Sequence, residues 1–206
     1  VYFINNAINI FFELGKTHRQ MWYERGYDDK TIDYFKLGWT GKYYVTPILY
    51  KEQLYNFQCR TPEKQIWLWS KSTGALPFNF DTLKEIQTVF IVESPVNAIA
   101  LQQYGLPAIA QTGGSGTWNV WWNQYLLKQK SLIFIYDNDQ AGYSGALRVA
   151  KYFKDRARIF IWPDGTKDKY DPNDWLKEGV TKPQIMSQIL NRCQDYEVAQ
   201  IRNLYG

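Results

Sequence analysis

Histidine and cysteine are scarce in this 206-residue chain, which has one His and two Cys. His18 has no second histidine to share a metal with, so a surface or helix-face role is its plain reading. Cys59 and Cys193 stand far apart and form no CxxC pair, so they supply neither a zinc site nor a disulfide framework. That usage fits a reducing, cytoplasmic setting. No apolar run approaches a membrane span and no signal peptide is visible, so no membrane association is expected. Internal repeats and low-complexity segments are lacking too, and the chain has no obvious tails, as expected of an excised piece of a longer protein. Neither sign of charge dominates. The net charge of +4 is compatible with nucleic acid without pointing to it.

Aromatic residues are plentiful, with 9 Trp and 16 Tyr. Most belong in a core, and some are suited to stacking on bases. The pattern predicts an α/β fold in two parts. Residues 1 to about 40 read as helical, with a turn at 25–29 after which Asp28 or Asp29 caps a short helix. Residues 42–50 and 53–60 read as a hairpin joined by Lys51-Glu52, with a further strand near Ile66-Trp67-Leu68-Trp69. From about residue 84, strands alternate with helices. Thr88–Val92 is followed by a helix capped by Ser94 and opened by Pro95. Short strands follow at 108–111, 131–136 and 158–162, as in a mostly parallel sheet with helices on its faces. The expected division is 1–83, 84–180 and a closing helical region at 181–206.

Acids stand at the ends of these strands. The run Ser131–Tyr136 leads into Asp137-Asn138-Asp139, followed by Ala141-Gly142. Residues i and i+2 of a strand share a face, so Asp137 and Asp139 project together where open α/β sheets place ligands. Side-by-side carboxylates repel, and a divalent cation is the economical neutraliser. Glu93 ends the 88–92 strand, and Asp171 and Asp174 follow the last one. Each has a bland alternative: Glu93 as a helix N-terminal charge, Asp171-Pro-Asn-Asp174 as turn and cap chemistry. Neighbouring strands lie about 5 Å apart, so acids at successive strand ends converge, and the functional reading is favoured. The loop 112–117 is glycine-rich but lacks the Gly-Lys-Ser/Thr of a Walker A loop.

Glu93, Gly114 and Asp137-x-Asp139-x-Ala141-Gly142, in that order, resemble the Toprim domain. Asp171-Pro-Asn-Asp174-Trp-Leu is similar to an element of its primase branch, as are Arg25-Gly26 with Thr31-Ile32 and Asn56-Phe57-Gln58-Cys59-Arg60 in the front half. The resemblance spans about residues 20–180. It implies an α+β amino-terminal subdomain followed by a Toprim-type, Rossmann-like sheet. It also implies Mg2+-dependent (or Mn2+-dependent) synthesis of short RNA primers from ribonucleoside triphosphates on a single-stranded DNA template. Glu93, Asp137 and Asp139 would be catalytic and metal-binding, with Asp171 and Asp174 supporting the metal. Arg60, Lys64, Lys71 and Gly114 would contact nucleic acid or nucleotide. A replicative helicase and a zinc-binding module elsewhere in the parent protein are implied partners, since this chain has no zinc site of its own. Two positions depart from the family pattern: Ser94 follows Glu93 where Gly is usual, and Asn97 stands where Asp is common. These departures suggest a plasmid, phage or mobile-element branch. A Toprim nuclease and a non-catalytic DNA-binding Toprim module remain alternative readings. A haloacid-dehalogenase-type phosphatase fits poorly, because its Asp pair sits on the first strand of its core.

Overall fold

The computed structural model describes residues 2–63, 65–71, 73, 75–84, 86–113 and 117–205. Lys64 and Gly114, expected at the site, lie outside them. The front half carries helices α1 (Tyr2–Gly15), α2 (Gln20–Tyr23) and α3 (Asp29–Tyr34). Asp28 caps α3, its carboxylate accepting from the Thr31 N–H at 2.8 Å. Strands β1 (Gly38–Trp39), β2 (Tyr44–Tyr50), β3 (Gln53–Arg60) and β4 (Ile66–Leu68) form an antiparallel sheet in sequence order. Lys51 and Glu52 both take positive φ, 52° and 63°, as the tight turn of a two-residue hairpin requires. The Asp81 carboxylate accepts from both of their backbone N–H groups and holds that turn.

The second sheet is built from β5 (Thr88–Val92), β6 (Ala108–Ala110), β7 (Ser131–Phe134), β8 (Ala157–Phe160) and β9 (Cys193–Asp195), in the order β6-β5-β7-β8-β9. The first three pairings are parallel and β9 is antiparallel. Its helices are α4 (Pro95–Gln103), α5 (Gln140–Ala150), α6 (Pro172–Lys177), α7 (Lys182–Arg192) and α8 (Tyr196–Tyr205). The closing region, expected to be helical throughout, thus breaks into two helices around an edge strand. Val120–Leu126 forms a 3-10 helix, where the sequence pattern of 121–127 reads as helical.

Alternation along β5 explains the layering. Phe90 and Val92 face a core shared with α4, Trp175 of α6 and Ile185 and Ile189 of α7, while Val89 and Ile91 face Ala146, Val149 and Ala150 of α5. The first core also takes in Trp22, Tyr27, Ile32 and Ile48 of the front half. The two halves therefore share one apolar interior and hold a fixed relation. Polar ties reinforce it: Gln58 Nε2 on β3 donates to the Thr112 carbonyl at 2.9 Å, and Tyr27 Oη donates to the Val96 carbonyl at 2.7 Å.

Candidate active site

The acids assemble because β5 and β7 are neighbours in parallel register, with Ile91 opposite Phe134. Extending that register puts Glu93 opposite Tyr136, one residue short of Asp137. The contact is direct: Glu93 Oε1 accepts from the Asp137 N–H at 3.1 Å. Asp171 arrives by a different route. Asn138 donates its backbone N–H to the Tyr170 carbonyl at 2.8 Å, and its side-chain amide to the Thr166 and Lys167 carbonyls. Lys169 N–H returns a bond to the Asn138 carbonyl. The loop after β8 is thereby laced to the aspartate turn, which carries Asp171 alongside.

Electrostatics report the same convergence. Burial, then the charges of Glu93, Asp171 and Asp139, push the Asp137 carboxyl up to about 8. Burial raises Glu93 and Asp171 as well, and Asp139 and Asp171 add to the shift of Glu93. Asp174 behaves differently. Its Oδ1 accepts from Lys177 at 2.7 Å and sits 3.6 Å from Lys167, and these lysines hold it below the usual carboxylate range against the opposing effect of burial. Four acids share one electrostatic patch, and Asp174 stands beside it already neutralised.

Two of the four also serve as helix caps. Asp139 Oδ1 accepts from the Gly142 N–H at 2.6 Å and caps α5. Asp171 Oδ1 accepts from Asn173 and Asp174 N–H groups, in a capping box completed by the Asp174 side chain. Among the described residues, no three His, Cys, Asp or Glu side chains already stand as an assembled metal site. The donor set nevertheless fits a hard divalent cation: it is all oxygen, and after burial the mutual repulsion of its acids raises Asp137. Gly142 permits the close approach. A Cβ there would lie 2.3 Å from the Asp137 carbonyl oxygen and 2.8 Å from Glu93 Oε1.

Glu93 also lines a cleft of about 500 Å3 between the two sheets, with Trp67, Leu68 and Lys71 on one wall and Thr112 and Gly113 on the other. Arg60, at the end of β3, faces Arg25. Burial and the Arg25 charge depress Arg60 to about 10. Arg25 donates to Asn173 Oδ1 at 3.3 Å, while its buried Nε–H has no partner. Among the described residues neither arginine forms a carboxylate ion pair. Two like charges held together beside Asp171 and Asn173 are suited to an anion. Arg25 was legible in the sequence only as part of a resembling stretch. What marks it is its pairing with a residue 35 positions away.

An open α/β sheet carrying acids at the carboxyl ends of adjacent strands defines a ligand site of the doubly wound class. Residues 90–176 match the Toprim-like family model. The chain as a whole has the fold of DnaG-type primase catalytic cores. A DNA primase domain from Pseudomonas aeruginosa superposes with a TM-score of 0.80 at 17% identity, over 98% of this chain and 81% of that one. A DnaG primase catalytic domain bound to ssDNA gives 0.77 at 17% identity, over 98% and 81%. The primase fragment of the bacteriophage T7 primase-helicase protein gives 0.67 at 17% identity, over 80% and 72%. No curated protein sequence matches this chain.

Proposed function

We propose that this chain is the catalytic core of a DNA primase, joining ribonucleotides into short primers on single-stranded DNA. The observation that carries the reading is the acidic patch of Glu93, Asp137, Asp139 and Asp171 beside a cleft whose other wall is the front sheet with Lys71. Mg2+ or Mn2+ bound by those carboxylates supplies charge neutralisation for the triphosphate and for the attacking and leaving oxygens. Asp174 supports the site by closing the cap that holds Asp171 in place.

The chain's own groups do the rest. Arg25 and Arg60 bind triphosphate oxygens, and Lys71 meets the template or the nucleotide from the cleft wall. Thr112 and Gly113 line the opposite wall. Glu93, raised by burial, takes the proton of the attacking 3′-hydroxyl. The substrates are a single-stranded DNA template and ribonucleoside triphosphates, in the cytoplasm. A replicative helicase and a zinc-binding module of the parent protein are the partners this reading calls for. A nuclease would use the same acids, but it gives no role to the front half that makes up the cleft's second wall.

The test is a product assay with ribonucleotides, Mg2+ and end-labelled single-stranded DNA. The reading expects RNA oligomers and an intact DNA strand. Shortened DNA without RNA would transfer the site to the nuclease reading, and DNA binding with neither product to the non-catalytic one.

A further inference from the structure

Asn97 lies in the first turn of α4, is 1% exposed, and is the only polar residue in a stretch, 95–101, that is otherwise apolar and buried. A helix packed between a sheet and other elements gains nothing from an amide there unless the amide is used. One half of it is used. Asn97 Nδ2 donates to Asp137 Oδ1 at 3.2 Å, crossing from the helix after β5 to the end of β7. The other half is not, because Asn97 Oδ1 is shielded from solvent and has no hydrogen-bond partner. With Asp137 ionised, as a bound cation would require, turning the amide over does not repair this, since it would set a carbonyl oxygen against a carboxylate oxygen. The local structure thus retains an unsatisfied acceptor in contact with the most strongly perturbed acid of the site, a cost that a leucine of similar volume would avoid.

We propose that Asn97 is a positioning residue for the cation site. Its N–H group pins Asp137 Oδ1 and leaves Oδ2 as the oxygen that Asp137 offers to a divalent cation, while its carbonyl oxygen accepts from a water molecule of the loaded site. Asn97 itself is not a ligand. A neutral donor at this position also holds Asp137 without adding a further acid to the four already gathered. The inference rests on the patch being a divalent-cation site, as proposed above, but not on the reaction performed there.

The experiment is Mn2+ binding to the full chain by isothermal titration, for the wild type and for Asn97→Leu and Asn97→Ala, with melting temperatures in the absence of metal. Asn97→Leu keeps the volume and removes both polar groups. Its metal-free melting temperature is expected to equal or exceed that of the wild type, while its Mn2+ affinity falls roughly 10-fold or more, the scale of losing a group that orients a ligand. Asn97→Ala is expected to bind Mn2+ as weakly, and it carries the comparison if the leucine variant does not fold. In primer synthesis, both variants should need more Mg2+ while keeping the KM for ribonucleotides. Variants that bind Mn2+ as tightly as the wild type would overturn the positioning role and leave the cation site standing. A wild type that binds no Mn2+ would overturn the cation site and this role together. Normal Mn2+ binding without primer formation would overturn only the priming reading.

Discussion

Asp139 has two separable duties, and two substitutions separate them. Its carboxylate caps α5 through a 2.6 Å bond from the Gly142 N–H, and it contributes one of the negative charges crowded around Asp137. Asparagine retains a side-chain oxygen able to accept at the cap and ranks with aspartate as a capping residue, whereas alanine loses the bond. Asp139→Ala should therefore cost about 1 kcal/mol, or roughly 3 °C in melting temperature for a chain of this size. Asp139→Asn should cost less. Asparagine gives up a helix-dipole interaction of about 0.3–1 kcal/mol, but it also relieves like-charge repulsion in the metal-free patch. Its melting temperature without Mg2+ should lie within about 2 °C of the wild type. Both variants lose a charge that the cation needs, so both should lose primer synthesis by roughly 100-fold or more, beyond the loss usual for a merely supporting partner. Thermal melting with and without Mg2+, beside a primer-synthesis assay, reads both duties. A fully active Asp139→Asn would refute the metal role. An Asp139→Asn as unstable as Asp139→Ala would refute the cap.

Other outcomes follow from the same geometry. Gly142→Ala would drive a Cβ to 2.3 Å from the Asp137 carbonyl oxygen, so it should destabilise by roughly 1–3 kcal/mol in chemical denaturation and disable the site. Asp137 is neutral in the folded, metal-free chain up to about pH 8 but ionises near 3.8 when unfolded, so folding retains a proton between those values. Its contribution to stability is full below about pH 4 and is lost as pH rises to about 8. Denaturant midpoints in EDTA should show that fall, and Mg2+ should flatten it. Arg60→Gln should raise the KM for ribonucleoside triphosphates roughly 10- to 150-fold, from the loss of a charged hydrogen bond of roughly 1.5–3 kcal/mol, and should weaken the salt dependence of binding. An unchanged KM would remove Arg60 from the triphosphate site.

Local signals made much of this legible. The apolar run into Asp137-Asn138-Asp139 marks β7 and its end, the Ser94-Pro95 pair opens α4, and Lys51-Glu52 closes a hairpin, because each is set by neighbours within a few residues. The sequence could not show how cap and ligand chemistry overlap. Asp139 and Asp171 have bland readings as caps and functional readings as ligands, and the structure gives both residues the cap while placing them by the patch. Asp174 looked equivalent to Asp171 in sequence. Only the approach of Lys167 and Lys177 distinguishes them. Arg25 comes to its place because the turn at 25–27 packs against α4 and α6, a contact between distant segments with no local signature. The edge strand β9 is three residues of Cys-Gln-Asp, and it forms because β8 offers it an open edge.

The central claim is that the carboxylates at the β5 and β7 ends make phosphodiester bonds between ribonucleotides. Glu93→Gln tests it most directly, because glutamine keeps the oxygen that accepts from the Asp137 N–H while removing the charge and the base. The measurement is formation of the first dinucleotide on a single-stranded DNA template with Mg2+, wild type beside variant at matched folded concentration. The account predicts a dinucleotide from the wild type and none from Glu93→Gln. Equal yields from the two proteins would contradict it.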